Sequence, residues 1–117
     1  MRHMVLPILM LLAVASEAQA CTSEERYLAS LKGHYGDDVL VAKRFAGAEA
    51  QAFATLFNDV VESDWPADIV VIYEKPGRAG LIQAFFIKGC LKSQGYMTKE
   101  HYADILRRMA GKAPMKL

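Results

Sequence analysis

The sequence predicts an α+β fold in which about three helices pack on a small antiparallel sheet. Two apolar runs, residues 69–73 and 81–87, are separated by a short Pro-Gly turn, and strands joined in this way pair antiparallel. Other segments instead show apolar residues at spacings of three and four, which is the helical period. With no internal repeat and no linker, the 117-residue chain is predicted to form one domain after an N-terminal leader.

Three segments carry helix signals. Residues 22–25 (Thr-Ser-Glu-Glu) form a capping-box start, and this first helix is predicted to end at Gly33 or Gly36. The clearest helix is predicted over 48–61, and a last one, capped by Thr98, over 99–110. The apolar stripes of these two helices consist of Phe53, Leu56, Phe57 and Val60, and of Tyr102, Ile105, Leu106 and Met109.

The predicted hairpin pairs residues 69–73 with residues 81–87. A third strand near 39–45 is left open, because the run VLVAKRF lacks a polar face and could equally begin a helix. Lys88-Gly89-Cys90 is expected to end the second strand or to mark a bulge, and Gly95 to close the loop that follows.

Both strands of the predicted hairpin are apolar on both faces. In an antiparallel sheet with one solvent-exposed face, the strands would alternate apolar and polar residues. The pattern therefore leaves two alternatives: either helices cover both faces, or the second face meets another subunit or a partner.

The first twenty residues have the layout of a secretory signal peptide. Arg2 is followed by an uncharged apolar run at 4–15, and residues 18–20 read Ala-Gln-Ala. Twelve helical residues rise about 18 Å, which is short of the roughly 30 Å of a bilayer core. We therefore expect cleavage after Ala20, a periplasmic or secreted protein comprising residues 21–117, and no transmembrane segment after cleavage.

Cys21 and Cys90 are the only cysteines. Export places them in an oxidising compartment, so the sequence predicts a structural disulfide between them. Lipid attachment at Cys21 is the alternative, but the residues before it match a lipoprotein signal poorly. A catalytic thiol is not predicted, because the chain has no C-x-x-C pair.

The charge balance and the absence of motifs exclude several function classes. Fourteen Lys and Arg against thirteen Asp and Glu give a net charge of +1, without the basic excess of a nucleic-acid binder. The sequence carries no catalytic or nucleotide-binding fingerprint. Hence no enzymatic activity and no cofactor is predicted.

His34, Asp37 and Asp38 are the candidate metal ligands. Imidazole and carboxylate groups suit a divalent ion, although the same H-x-x-D-D pattern fits a solvated loop in which an Asp caps the next element. Met97, Met109 and Met115 lack the close spacing of a copper site.

Trp65 is flanked by acidic residues, namely Glu62, Asp64 and Asp68. An aromatic residue among acids resembles a sugar-binding patch in outline. A helix end followed by a turn has the same composition, and we adopt that interpretation for the sequence.

Pro76, Gly77 and Arg78 at the hairpin tip are the candidate partner-contact residues. The loop is predicted to be exposed, Pro76 stiffens it, and arginine is enriched at protein interfaces. The functional hypothesis is a non-enzymatic binding, accessory or inhibitor-type protein with a protein partner or a second copy of itself. The alternatives are a metal-binding protein or small envelope enzyme using His34, Asp37 and Asp38, and an envelope stress chaperone.

Overall fold

The α+β class is confirmed. The computed structural model describes residues 21–111; the predicted signal peptide, residues 1–20, lies outside them. In chain order the described elements are α1 (Glu24–Tyr35), β1 (Leu40–Ala46), α2 (Ala48–Val61), β2 (Ile69–Glu74), β3 (Leu81–Ile87), β4 (Cys90–Met97) and α3 (Lys99–Met109).

The four described strands form one antiparallel sheet in the order β1-β2-β3-β4. The 39–45 run, which periodicity alone could not assign, is the edge strand β1. Its pairing with β2 contains an irregularity between Val41 and Lys43. An irregular, charged edge discourages pairing with another sheet.

The sheet has four strands rather than the two or three expected from the sequence, because β4 was predicted as a loop closed by Gly95. Polar residues fill much of β4, and Gly95 lies within it opposite Gln83. The β3–β4 turn contains only Lys88 and Gly89, with φ angles of 50° and 81°. Positive φ at both central residues is the requirement of a type I′ two-residue hairpin turn, and Lys-Gly is a weaker signal for it than Asn-Gly.

Helices cover both faces of the sheet, which decides between the two alternatives left by the apolar strands. On one face α2 and α3 pack around Phe53, Phe85 and Ile105. On the other face α1 packs through Tyr27 and Leu31 on the alternate residues of β2 and β3. The residues buried beneath α1 are Val39, Val71, Tyr73, Ile82, Ala84 and Phe86.

The helix boundaries follow local capping chemistry. The α1 helix continues through Gly33 and ends before Gly36, whose N–H donates to the carbonyl of Lys32. The Ser23 and Thr98 hydroxyl groups accept backbone N–H bonds at the starts of α1 and α3, at 3.2 and 3.0 Å. Of the helices formed by residues 21–111, none has the length and apolar character needed to cross a membrane.

The predicted cysteine pair is joined. A disulfide links Cys21 to Cys90, whose Cα atoms lie 4.8 Å apart, and neither cysteine is free. Next to it, the N–H of Leu91 donates to the carbonyl of Thr22 at 2.7 Å. The segment before α1 is therefore fixed covalently and by a hydrogen bond to the start of β4.

Candidate functional site

Two segments that the sequence singled out separately lie side by side. The loop after α1 holds Asp38, and the β2–β3 loop holds Lys75 and Arg78. Asp38 forms an ion pair with Lys75, and the guanidinium carbon of Arg78 lies 5.0 Å from the centroid of the Tyr35 ring. The fold thus joins the candidate metal ligands and the candidate partner contacts into one region.

Tyr35, Arg78 and Tyr96 form the centre of this region, which we call the tyrosine–arginine patch. Tyr35 is the last residue of α1, and Tyr96 lies near the end of β4. Their hydroxyl groups are hydrogen-bonded to each other. Tyr96 remains 66% exposed, so the patch presents an aromatic ring to solvent beside an arginine.

Two depressions flank Tyr96. One, of about 290 Å³, lies on the side of the β2–β3 loop and includes Lys75, Arg78 and Ile82. The other, of about 330 Å³, lies on the α1 side and includes Tyr35 and Ile82. The protein surface is therefore concave on both sides of the exposed Tyr96 ring.

Of the two basic residues in the β2–β3 loop, Lys75 is paired with a carboxylate of the described chain and Arg78 is not. Lys75 holds the pKa of the Asp38 carboxyl below its usual value through a direct hydrogen bond. The hydrogen bond with Tyr96 raises the pKa of Tyr35, and Arg78 opposes that rise. Among the described residues 21–111, Arg78 has no carboxylate partner, so its guanidinium can pair with an external acid.

The metal candidates are not gathered around a common point. The ring of His34 packs edge-on against Tyr35 with centroids 4.5 Å apart, and Asp38 is occupied by Lys75. Asp37 is exposed in the turn after α1. Within residues 21–111 there is no group of three or more His, Cys, Asp or Glu side chains able to hold a metal ion.

Pro76 and Gly77 form the exposed tip of the β2–β3 loop. The N–H of Arg78 donates to the carbonyl of Lys75 at 3.0 Å, which closes the turn. The contacts of this loop with the end of α1 are the Arg78 guanidinium over the Tyr35 ring and the Lys75–Asp38 ion pair.

Sequence reasoning missed Tyr35 and Tyr96. They are 61 positions apart in the chain, and β4, which carries Tyr96, was not predicted as a strand. The available signal was a Tyr at the end of a helix and another before the Thr98 cap. Neither pattern places the two residues together without the sheet register.

Comparison of the chain with models of known protein families, with curated proteins and with solved structures found no significant match. The function is therefore argued from the geometry of the described residues.

Proposed function

We propose that this protein is an exported, non-enzymatic binding protein that contacts another protein through the tyrosine–arginine patch. The observation that carries the proposal is the arrangement of Arg78 over Tyr35, with Tyr35 bonded to the exposed Tyr96. Tyrosine and arginine, together with tryptophan, are enriched among the residues that dominate protein–protein binding energies. Their fixed geometry lowers the entropy lost on binding.

The expected partner surface presents a carboxylate and apolar groups. The carboxylate would pair with Arg78, while apolar side chains would enter the depressions beside Tyr96. Because helices cover both sheet faces in residues 21–111, the partner contact expected from the sequence is assigned to the loop side of the sheet.

The disulfide supports export, since such bonds persist in oxidising compartments. It also argues against lipid attachment at Cys21, because the sulfur is already bonded to that of Cys90. Intact mass of the exported protein tests this directly. We expect the mass of residues 21–117 less two hydrogens and resistance to alkylation; acyl chains or an alkylated Cys90 would contradict it.

Binding is favoured over catalysis by what the described residues offer. Across 21–111, both cysteines are bonded to each other, and Nε2 of His101 is buried without a hydrogen-bond partner. A free thiol and a hydroxyl group paired with His101, two usual arrangements for covalent catalysis, are thus lacking in this part of the chain.

Site-specific photocrosslinking in the exporting cell tests the proposal. A photoreactive residue at Ala79, beside the patch, should give a discrete crosslinked species; the same residue at Val60, exposed on α2, should not. A product of twice the chain mass would identify a second copy as the partner.

The matched charge variants are Arg78→Glu and Lys92→Glu. Both replace an exposed base by an acid, but only the first should abolish the Ala79 crosslink. Equal crosslinking from Val60, no crosslink at all, or equal effects of the two variants would overturn the proposal.

A further inference from the structure

The two edges of the sheet differ in how well they are protected against a further strand. At one edge, β1 carries Lys43 and Arg44 and has an irregular register, and both features discourage strand pairing. At the other edge, β4 pairs with β3 without a register shift from Ser93 to Met97. That half of β4 reads Ser-Gln-Gly-Tyr-Met and contains neither a charged residue nor a proline. The β4 edge therefore lacks the usual protection.

The register of the β3–β4 hairpin shows which backbone groups of β4 point away from the sheet. Ile87 and Cys90 flank the two-residue turn and form a hydrogen-bonded pair, and such pairs alternate with non-hydrogen-bonded pairs along an antiparallel ladder. Counted along β3, the pairs made by Gln94 and Tyr96 are non-hydrogen-bonded. Their backbone N–H and C=O groups are therefore directed outward, where no strand of residues 21–111 lies.

The same edge already accepts a segment of chain near the start of β4. Leu91, which is also in a non-hydrogen-bonded pair, donates its outward N–H to the carbonyl of Thr22 at 2.7 Å. In the described part of the chain, no backbone group outside the sheet bonds to Gln94 or Tyr96. The edge thus keeps two adjacent outward-facing residues that can bond to another chain.

This open edge continues into the tyrosine–arginine patch. Tyr96 belongs to both, and it lines the depression of about 290 Å³ together with Arg78. Neither edge strand contains Asp or Glu, since β1 reads LVAKRFA and β4 reads CLKSQGYM. A second copy that added one of its own edges would therefore bring bases, not an acid, toward Arg78. An extended segment of a different protein that carries an acidic side chain fits both the edge and Arg78.

We propose that the partner adds an extended, acidic segment as a further strand along β4. The backbone of this segment bonds to the outward N–H and C=O groups of Gln94 and Tyr96, and one of its carboxylates pairs with Arg78. The inference rests on the proposed function, because it specifies the kind of segment that the tyrosine–arginine patch receives.

A proline at position 94 tests the backbone contact. Gln94→Pro removes the outward N–H without removing a bond of the β3–β4 ladder. Gln94→Ala is the matched control, because it loses the same side chain, including its bond with Tyr27, but keeps the N–H. We expect the crosslink formed from Ala79 in the exporting cell to be at least about fivefold weaker in the proline variant than in the alanine variant. Circular dichroism of the purified variants checks that both fold.

The outcomes separate the strand addition from the proposed function. Similar crosslinking in the two folded variants would overturn the strand addition and leave the binding role of the tyrosine–arginine patch standing. No crosslink from Ala79 in the parent protein would overturn both.

Photocrosslinking along the edge gives a second test that does not depend on the proline variant. A photoreactive residue in place of Gln94 should trap the same species as one at Ala79, whereas one in place of Lys43, exposed on β1, should not. Mass spectrometry should place the crosslink in a partner segment that contains Asp or Glu. Absence of the species at position 94, a product of twice the chain mass, or a segment without an acidic residue would overturn the proposal.

Discussion

The hydroxyl group of Tyr27 donates to Oε1 of Gln94 at 2.8 Å, which ties the centre of α1 to β4. The bond uses the protonated phenol. Burial raises the pKa of Tyr27 to about 12, with smaller contributions from Tyr35 and Tyr96. The pKa of Tyr73, on the same face of the sheet, is also raised, mainly by burial. The α1 side of the fold thus depends on two neutral phenols.

Alkaline pH is expected to destabilise the protein through these phenols. An unfolded tyrosine ionises near pH 10, whereas folded Tyr27 does so only near pH 12. Their contribution to stability is therefore complete below about pH 10 and is lost as the pH rises toward the folded pKa values. Urea unfolding followed by circular dichroism from about pH 8 to about pH 11 checks this. An unchanged midpoint over that range would contradict it.

Tyr27→Phe separates the hydrogen bond from the ring. We expect a loss of about 0.5–1.5 kcal/mol at neutral pH, the usual worth of one hydrogen bond, and a shallower decline of stability at alkaline pH. Tyr96→Phe is the comparison variant, because Tyr96 is exposed and contributes less than burial does to the raised pKa of Tyr27, so its change should leave most of the alkaline decline in place. Parallel curves for Tyr27→Phe and the parent would argue against a role for the Tyr27 phenol.

The disulfide is expected to supply a large share of the stability of this small domain. The two cysteines are 69 positions apart, and the chain-entropy model gives about 4 kcal/mol for a loop of that length. The double variant Cys21→Ser, Cys90→Ser should therefore unfold at much lower urea concentration than the oxidised parent. Reduction of the parent should reproduce the loss. A change below about 1 kcal/mol would show that native contacts already hold the N-terminal segment in the unfolded ensemble.

Phe53 is expected to be the most costly truncation on α2. It is fully buried, and its ring lies 5.2 Å from that of Phe45 and 6.4 Å from that of Phe85, measured between centroids. Phe53→Ala should cost about 3–5 kcal/mol by removing these contacts and leaving a cavity. Val60→Ala, on the same helix but 55% exposed, should change the unfolding free energy by less than about 0.5 kcal/mol. Similar losses for both would contradict the assigned core face.

The sequence predicted the helices well because each has an apolar stripe, and α1 and α3 also begin at capping residues, Ser23 and Thr98. It predicted the hairpin because β2 and β3 are apolar apart from Glu74 and Gln83. It failed at β4, whose exposed edge position permits polar residues and whose turn lacks a strong signature. Only one of the three residues of the tyrosine–arginine patch was predicted. Arg78 was selected because it lies in an exposed loop, whereas Tyr35 and Tyr96 come together only through the pairing of β4, which the sequence did not predict as a strand.

Gly36 is predicted to control the position of the β2–β3 loop. Its φ of 122° lies in a region that other residues rarely adopt, and a Cβ there would come within 3.2 Å of Oδ1 of Asp38 and 3.3 Å of Nζ of Lys75. Gly36→Ala should therefore cost about 1–3 kcal/mol through backbone strain and displace the Asp38–Lys75 ion pair that holds the loop against α1.

Gly33→Ala is the matched control, because Gly33 lies within α1 and a Cβ there meets nothing within 4 Å. Alanine at that position should instead stabilise the protein by about 0.5–1 kcal/mol, the usual gain over glycine in a helix. Urea unfolding measures both changes, and the nuclear magnetic resonance shifts of the Arg78 and Tyr96 amides report the loop. Because the two variants add the same methyl group three positions apart, opposite signs would isolate the conformation of Gly36 as the cause. Equal stabilities, or unperturbed Arg78 shifts in Gly36→Ala, would mean that the ion pair, and not Gly36, sets the loop position.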